Sequence, residues 1–497
     1  MPQTTGNSSP ASPWRSRCGA FLRGRLVYLA LSLLLLAPCY WQPRIQAGDL
    51  SSHIYNSWLA QLIESGRAQG LIVAPQATNV LFDLILGSLF RAFGAEAAQR
   101  IAVSLAVLIF IWGAFAFTSV VAGRRAWNLM PCIAMLAYGW VFHMGFFNFY
   151  MALGLCFWAM ALAWEPRPPR LVGALAILAL AYVGHALPVL WSLCLLAYLA
   201  LARRGSPRRR AWVTLGALAL MGVAHVGASV ALAARWYPAQ ITKITGADQL
   251  WVFDAKYYLV LIGLLLVWGV LFLNLLRHWG ARRVFSSLPF QFFVMSAGGI
   301  LILPSAVLLP GFLHALAYIA ERMSLGVAVC VCALLGAARP RAFERFAMLG
   351  LAALFFFFLY SDERALNAFE DRMQDAVAQL EPGQRVVSLV DDPDLRVNAL
   401  VHMIDRVCVG RCYSFANYEP ATAQFRVRAV AANPFVVKSY ADSWALQTGA
   451  YAVKPSDEPI YAVDVGDSGR LIIRPLKAGA LCGSAYWRVL GEIVPAS

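Results

Sequence analysis

The sequence predicts an α-helical polytopic membrane protein that carries a soluble α/β domain at its C-terminal end. Of its 497 residues, 60% are hydrophobic and only 13% are charged, and the mean hydropathy is +0.62. Soluble domains carry roughly 25% charged residues, so a core cannot hide this much apolar surface behind so few charges. From Ser361 onwards the composition changes to that of a soluble domain. These observations exclude a soluble enzyme, a disordered chain and a secreted disulfide scaffold.

The net charge of +15 is distributed as expected for a membrane protein. Short basic clusters lie between the apolar runs, at Arg124–Arg125, Arg167/Arg170, Arg203 to Arg210, Arg277/Arg282/Arg283 and Arg339/Arg341/Arg345. Such clusters are typical of cytoplasmic loops. Nucleic-acid binding needs a basic face on a folded domain, and the sequence shows none, so we expect no nucleic-acid partner.

The apolar runs predict about eleven transmembrane helices, with the N-terminus inside and the C-terminus outside. The predicted spans are 26–42, 98–121, 129–144, 148–164, 171–186, 187–202, 211–234, 256–277, 285–309, 322–338 and 346–361. The chain thus divides into a cytoplasmic tail (1–25), a transmembrane module (26–361) with a first external loop (43–97), and an external α/β domain (362–497).

The first external loop is predicted to hold two helices that lie along the membrane. In the segment from Asp49 to Ser65, apolar residues recur every four positions with polar residues between them, which indicates an amphipathic helix at the interface. The second segment, Thr78 to Phe93, is apolar but short and contains charged residues. If it crossed the membrane, every later basic cluster would change sides, so we expect it to lie flat on the outer face.

The C-terminal domain is predicted to begin with a helix over 361–380 and to continue with strands. The runs RVVSLV, PFVVKSY, PIYAVDV and RLIIRPL have strand-like composition. The spacing of Cys408 and Cys412, in CVGRC, is compatible with a small disulfide loop or with metal binding, and zinc is disfavoured because no further Cys lies nearby.

Ionisable residues beside apolar spans are the first candidates for function, because burying them is costly. On the predicted outer side they include Asp49, His53, His143, His185 and Arg322. Asp49 opens the first external helix, where Asp is also a favoured N-cap residue. His53 follows one turn later, so the two side chains point the same way.

The other candidates also have structural interpretations. His143 and Asn148 occupy the outer turn between the third and fourth spans, where a packed histidine and turn chemistry explain them as well as substrate binding does. His185 lies at a predicted outer bend and is a candidate for substrate or phosphate contact. Arg322 opens a span at the outer face and is either a phosphate ligand or an interfacial anchor that pairs with Glu321.

The first third of the chain resembles the start of a GT-C glycosyltransferase. The similarity lies in an acidic residue that opens an amphipathic external helix ending near ESG, in the second helix VAPQATNVLFDLILGSLFRAFG, and in the following span with its arginine pair, AAQRIAVSLAVL to VVAGRR. GT-C enzymes such as protein O-mannosyltransferases and aminoarabinose transferases use polyprenyl-phosphate sugars on the non-cytoplasmic face of the membrane.

The resemblance implies an inverting sugar transfer at the outer face of a bacterial inner membrane, with the C-terminal domain in the periplasm. Asp49 would be the general base that deprotonates an acceptor hydroxyl. His53, His143, Asn148, His185 and Arg322 would bind substrate, Arg322 at the leaving phosphate. The partners implied are a polyprenyl-phosphate-sugar donor, a lipid, glycan or protein acceptor, and membrane lipids.

The sequence departs from this family at positions that bear on metal binding. Many relatives carry an acid in the region of Asn148, and some carry a pair of acids where this chain has Asp49 alone. A divalent cation needs several oxygen ligands. A metal is possible, but this sequence shows no cluster of ligands that supports one, so we name no cofactor as expected.

Two other functions compete with the transferase. A transporter or flippase for a lipid-linked or polymer precursor would use the external domain as a binding module, but it favours groups near the midplane and paired halves. A bis-histidine haem protein would need membrane histidines at matching depths, whereas those of this chain are spread in depth.

Overall fold

The computed structural model describes residues 25–203, 205–392, 394–466 and 469–482. The predicted cytoplasmic tail up to residue 24 therefore lies outside the described residues. The helices of the membrane part are α1 Arg25–Leu35, α2 Leu50–Glu64, α3 Leu81–Ala122, α4 Met130–Ala137, α5 Trp140–Met144, α6 Phe147–Trp164, α7 Pro168–Gly184, α8 Ala186–Arg203, α9 Pro207–Ala231, α10 Tyr257–Trp279, α11 Ala281–Phe285, α12 Leu288–Ile302, α13 Ile319–Leu335 and α14 Ala342–Val377.

The structure is that of a helical membrane protein with a small strand-containing region. Among the described residues, six helices are long and apolar enough to cross a membrane: α3, α6, α8, α9 from Arg208, α10 and α14. Shorter apolar helices are α1, α7 and α12. Helical residues lie in every segment predicted to span, but the count of eleven is not confirmed.

The segment predicted as the third span is not one continuous helix. It is divided into α4, of 8 residues, and α5, of 5 residues. Gly139 between them has extended backbone and lies so close to Gln249 that a Cβ would be 2.8 Å from the Gln249 carbonyl oxygen. At 1.5 Å per residue, α4 covers only about 12 Å of a bilayer core of roughly 30 Å.

The predicted second external helix and the next predicted span form one long element, α3, with a sharp break at Gly94. Gly94 has φ 79° and ψ 173°, which is not helical and is a conformation essentially limited to glycine. The break lies between the predicted external helix, which ends at Phe93, and the predicted span, which begins at residue 98.

Helix α2, predicted to be an amphipathic helix at the membrane interface, is buried on both its apolar and its polar side in the structure. Its polar residues Ser52 and Asn56 are as buried as its apolar residues Ile54 and Leu59. The polar side packs against the C-terminal domain, where the Ser52 hydroxyl donates to the Glu419 carboxylate at 2.9 Å. The alternating pattern therefore reflects a polar protein interface.

The C-terminal domain contains α15 Met403–Cys408, α16 Glu419–Thr422 and α17 Tyr440–Thr448. The strands of the whole chain are β1 Leu71–Val73, β2 Ala233–Arg235, β3 Ala306–Leu308, β4 Arg385–Ser388, β5 Tyr413–Ser414, β6 Val427–Ala429, β7 Tyr451–Ala452, β8 Ile460–Val465, β9 Leu471–Leu476 and β10 Leu481–Cys482. The main sheet has the order β5-β4-β8-β9, in which β4 is parallel to β5 and β8 and β8 is antiparallel to β9. Strands are confirmed in three of the four predicted runs.

The fourth predicted strand, PFVVKSY, is wrong. Residues 434–439 form no strand, and Tyr440 begins α17. The Asn433 side chain accepts hydrogen bonds from the backbone of Phe435 and Val436, both at 3.0 Å, and Pro434 has no N–H to donate. The local turn thus uses the donors that a sheet would need.

Two features attach the C-terminal domain to the membrane part. Strand β1, in the loop predicted to be external, pairs antiparallel with β6 of the C-terminal domain, with Leu71 opposite Ala429. Helix α14 runs without interruption from the last predicted span into the helix predicted to begin the C-terminal domain, so the boundary predicted at Ser361 falls inside one helix.

The CVGRC loop holds a disulfide between Cys408 and Cys412. This agrees with the disulfide loop, one of the two interpretations that the cysteine spacing allowed.

Candidate functional site

A cavity of about 360 Å³ lies where the membrane part meets the C-terminal domain. Its walls come from the N-terminus of α2, the α5–α6 turn, the α7–α8 bend, the loop between β3 and α13, and the α16 and α17 regions. One set of lining residues is apolar: Phe146, Phe147, Phe149, Leu309 and Phe312. Another set is polar or charged: Asp49, His53, His314, Arg322 and Glu419.

Asp49 is held at the cavity wall by its backbone. The Asp49 N–H donates to the Met144 carbonyl oxygen at 3.0 Å, and the preceding Gly48 N–H donates to the His143 carbonyl oxygen at 2.7 Å. Although Asp49 is the N-cap residue of α2, its side chain makes no capping hydrogen bond. Asp49 therefore occupies the N-cap position, but its carboxylate lines the cavity instead of capping the helix.

His53 lies one turn after Asp49 and lines the same cavity, as predicted from the helical spacing. Its Nδ1 is 2.6 Å from the Asp83 carboxylate. Burial by itself would lower the pKa of His53, but the charge of Asp83 and its hydrogen bond outweigh burial and raise this pKa to about 9. His53 is therefore a cation at neutral pH, paired with a carboxylate of α3.

Asn148 fixes this ion pair. Its amide nitrogen donates to the second oxygen of Asp83 at 2.8 Å, and its amide oxygen accepts from the Phe82 backbone N–H at 2.8 Å. Asn148 also lines the cavity, so the structure places it beside the site while both ends of its amide are engaged within the protein.

Arg322 is partly buried at the start of α13, with its guanidinium carbon 3.7 Å from the centroid of the Phe146 ring. Its Nε has no hydrogen-bond partner among the described residues. Glu321 lies 3.8 Å from Lys243, so the ion pair that the sequence suggested between Glu321 and Arg322 is not formed. Arg322 thus lines the cavity with a guanidinium that stacks on Phe146 and whose Nε is free to donate a hydrogen bond.

Two further histidines line the cavity. His185 lies at the break between α7 and α8, with extended backbone, and its Nδ1 accepts from the Leu187 N–H at 3.2 Å. The predicted bend is confirmed there. His314 lies in the loop before α13, where burial, reinforced by the charge of Arg322, lowers the pKa of its imidazole to about 4. His314 is therefore neutral at physiological pH.

His143 is not part of the cavity wall. Its side chain is fully buried, and its Nδ1 donates to the Gln46 carbonyl oxygen at 3.0 Å. The structure thus places His143 as a packed, hydrogen-bonded histidine, which does not support the predicted substrate contact. Its hydrogen bond instead holds the chain segment that leads to Asp49.

The C-terminal domain contributes charged groups that the sequence did not single out. Glu419 of α16 lines the cavity, and burial raises the pKa of its carboxyl to about 7 despite the opposing charge of His53. His402, just before α15, has its Nε2 3.8 Å from an oxygen of Asp49. These residues are separated from Asp49 by more than two thirds of the chain, and no local pattern marks them.

Asp83 is the other residue that sequence reasoning missed. In the sequence it is one of the charged residues of the predicted second external helix, Thr78 to Phe93. An ionisable side chain in an apolar run is itself a signal of function or pairing. For Asp83 this rule predicts a charged partner such as His53.

Within the described parts of the chain, no group of three or more His, Cys, Asp or Glu side chains is placed to hold a metal ion.

No protein-family model, curated protein or solved structure matches this chain.

Proposed function

We propose that this protein is a membrane glycosyltransferase that moves a sugar from a polyprenyl-phosphate donor to an acceptor hydroxyl at the outer face of the membrane. The observation that carries the proposal is one cavity lined by an acidic and a basic side chain, Asp49 and Arg322. The Asp49 carboxylate makes no capping hydrogen bond, and the Arg322 Nε has no hydrogen-bond partner among the described residues. Charged groups that line a cavity without such partners are suited to bind a polar ligand.

The two kinds of cavity wall fit an amphipathic donor. The apolar residues Phe146, Phe149 and Phe312 suit the prenyl units next to the phosphate, and the charged wall suits the phosphate and the sugar. The cavity lies between the membrane helices and the C-terminal domain, so a lipid-linked substrate can keep its chain in the bilayer while its head group reaches the site.

Asp49 suits the role of general base. Its carboxylate is 23% exposed and accepts no hydrogen bond from the described residues, so it is free to accept one from an acceptor hydroxyl. In the reaction the hydroxyl proton passes to Asp49 while the hydroxyl oxygen forms a bond to the anomeric carbon. The bond from that carbon to the phosphate oxygen breaks, the phosphate keeps the electron pair, and the configuration inverts.

Arg322 suits the leaving phosphate. Negative charge grows on the phosphate oxygen as the bond breaks, and a guanidinium fixed in a water-poor site stabilises that charge. Stacking on Phe146 holds the guanidinium in place before substrate binds. We place the reaction on the periplasmic side of a bacterial inner membrane, with the acceptor a lipid, a glycan or a protein.

The experiment that tests the proposal follows the sugar and the lipid separately. Purified protein in proteoliposomes is given polyprenyl-phosphate donors labelled in the sugar, with membrane extracts as the source of acceptor. Labelled product with inverted anomeric configuration supports the proposal. Movement of the intact donor across the bilayer without bond cleavage contradicts it and supports the transporter alternative.

A further inference from the structure

The C-terminal domain presents a histidine–aspartate pair to Asp49. His402 Nε2 lies 3.8 Å from Asp49 Oδ1, and His402 Nδ1 lies 3.1 Å from Asp405 Oδ2. The imidazole therefore bridges two carboxylates, one from the membrane part and one from its own domain. The exposed fraction of the His402 side chain is only 12%.

The hydrogen bonds around Asp405 fix the orientation of this imidazole. The other oxygen of Asp405 accepts a hydrogen bond from the Ser414 hydroxyl, and the Ser414 backbone N–H donates to the Tyr55 hydroxyl at 3.0 Å. Asp405 is a carboxylate acceptor, so Nδ1 of His402 carries a proton and Nε2 faces Asp49. Tyr55 belongs to α2, so the same helix that begins at Asp49 also supports the pair.

The segment that carries His402 is firmly attached. The disulfide between Cys408 and Cys412 closes the end of α15. Arg406 of the same helix binds both oxygens of Glu370 in α14 and donates to the Ile45 carbonyl oxygen at 2.9 Å. Ile45 is four residues before Asp49, so α15 and the chain leading to Asp49 are held against each other.

The charges that face His402 favour its protonated form. They are Asp405 from α15, Asp49 from the start of α2, and Glu419 of α16, while the ring of Tyr418 lies 5.7 Å away. Burial by itself would lower the pKa of His402, but the hydrogen bond to Asp405 and the three acidic groups outweigh burial and raise it.

We propose that His402, oriented by Asp405, is a positioning residue for the Asp49 base, so that the C-terminal domain completes the catalytic centre. The inference rests on the proposed function. An imidazolium directed at one oxygen of Asp49 leaves the other oxygen for the acceptor hydroxyl and fixes its direction. The 3.8 Å separation shortens to a hydrogen bond when substrate closes the site, as catalytic contacts commonly do.

The test compares His402→Gln with wild type and with the matched control His278→Gln. His278 lies at the end of α10, where its Nδ1 bonds the Asn274 carbonyl oxygen. We expect His402→Gln to lower kcat on the order of 10- to 100-fold, by analogy with the loss of groups that orient metal ligands, with the KM for the donor little changed. His278→Gln keeps the wild-type kcat.

The pH profile separates positioning from a merely structural role. In wild type, kcat falls on the alkaline side as His402 loses its proton. In His402→Gln, this alkaline limb is absent and the low rate is flat. Asp405→Asn keeps the imidazole but removes its strongest acidic partner, so the limb moves to lower pH. If thermal unfolding shows that His402→Gln does not fold, Asp405→Asn tests the inference in its place.

The outcomes distinguish this inference from the proposed function. If Asp49→Asn abolishes transfer while His402→Gln keeps wild-type kcat and pH profile, the inference is overturned and the proposed function stands. If Asp49→Asn transfers as wild type does, or wild type transfers from no donor, the proposed function is overturned and the inference falls with it.

Discussion

At the scale of single residues, the site is defined by charged side chains whose hydrogen bonds are incomplete. Buried charges are normally paired or fully hydrogen-bonded, because desolvation is costly. The His53–Asp83 pair follows this rule, with Asn148 completing it. Arg322 does not, since its guanidinium stacks on Phe146 while its buried Nε has no hydrogen-bond partner among the described residues. A phosphate oxygen would accept the hydrogen bond that the Arg322 Nε lacks.

Replacing Arg322 tests its role at the leaving phosphate. We expect Arg322→Gln to lower the transfer rate by on the order of 100- to 1000-fold, because it removes one donor to developing charge. Arg91→Gln is the control, since Arg91 forms an exposed ion pair with Glu64 outside the cavity. Initial rates at saturating donor measure the effect. A rate for Arg322→Gln equal to that of the control would contradict the assignment.

The His53–Asp83 pair predicts a pH dependence of stability. The pKa of His53 is raised from 6.5 to about 9 in the folded protein, so the pair stabilises the fold fully below pH 6.5. This contribution is lost as the pH rises through about 9. We expect the unfolding temperature in detergent to fall over this range, and His53→Gln to remove that part of the fall. An unchanged profile in His53→Gln would show that other groups cause it.

At the scale of elements, the turn between α5 and α6 holds the start of α2. Gly145 in this turn has φ 83°, and a Cβ there would lie 2.5 Å from the Asp49 backbone nitrogen. Glycine is therefore required both for the backbone conformation and for the close approach. The turn also supplies the carbonyl oxygens of His143 and Met144 that bind the N–H groups of Gly48 and Asp49.

Gly145→Ala should displace Asp49 from the cavity. We expect transfer to fall at least about tenfold, because small misplacements of a catalytic group are costly. Gly66→Ala is the matched control, since Gly66 has φ 73° but nothing within 4 Å of an added Cβ. Gly66→Ala loses only roughly 1–2 kcal/mol of folding free energy, from placing a Cβ at positive φ, and keeps its transfer activity. Equal activity of the two variants would contradict the positioning role of the turn.

The elements also show what the sequence does and does not reveal. Apolar runs predict the helices, and the spacing of Asp49 and His53 predicts that both face one site. The burial of α2 could not be predicted, because its polar side faces Glu419 from a segment more than three hundred residues away. His402 could not be predicted for the same reason, since partners distant in the chain leave no periodic pattern in the sequence. Arg322 could be predicted as a site residue because a charged residue beside an apolar run is unusual.

At the scale of the whole molecule, the C-terminal domain docks on the membrane part and supplies one wall of the cavity. Strand pairing between β1 and β6 forms one contact. Another is formed by Arg406, whose side chain is 8% exposed and which binds the almost fully buried Glu370 through both oxygens. Loss of this docking would open the wall that carries Glu419 and His402.

Replacing Arg406 tests the docking. Arg406→Ala leaves the buried Glu370 carboxylate without its main partner, which costs about 3–5 kcal/mol when no other group compensates. Arg44, 3.3 Å from Glu370, compensates in part, so we expect the lower end of this range. Arg91→Ala, which breaks an exposed pair, changes stability by less than about 1 kcal/mol. Unfolding temperatures that fall equally in both variants would contradict the docking role.

The measurement that tests the central claim most directly is the rate of sugar transfer by Asp49→Asn. Asn has the shape of Asp but cannot take up the acceptor proton, and Asp375→Asn, at an exposed position of α14, serves as the control. We predict that Asp49→Asn, folded as well as wild type, loses at least about 100-fold in rate and that Asp375→Asn keeps the wild-type rate. Transfer by Asp49→Asn at the wild-type rate would contradict the assignment of Asp49 as the base.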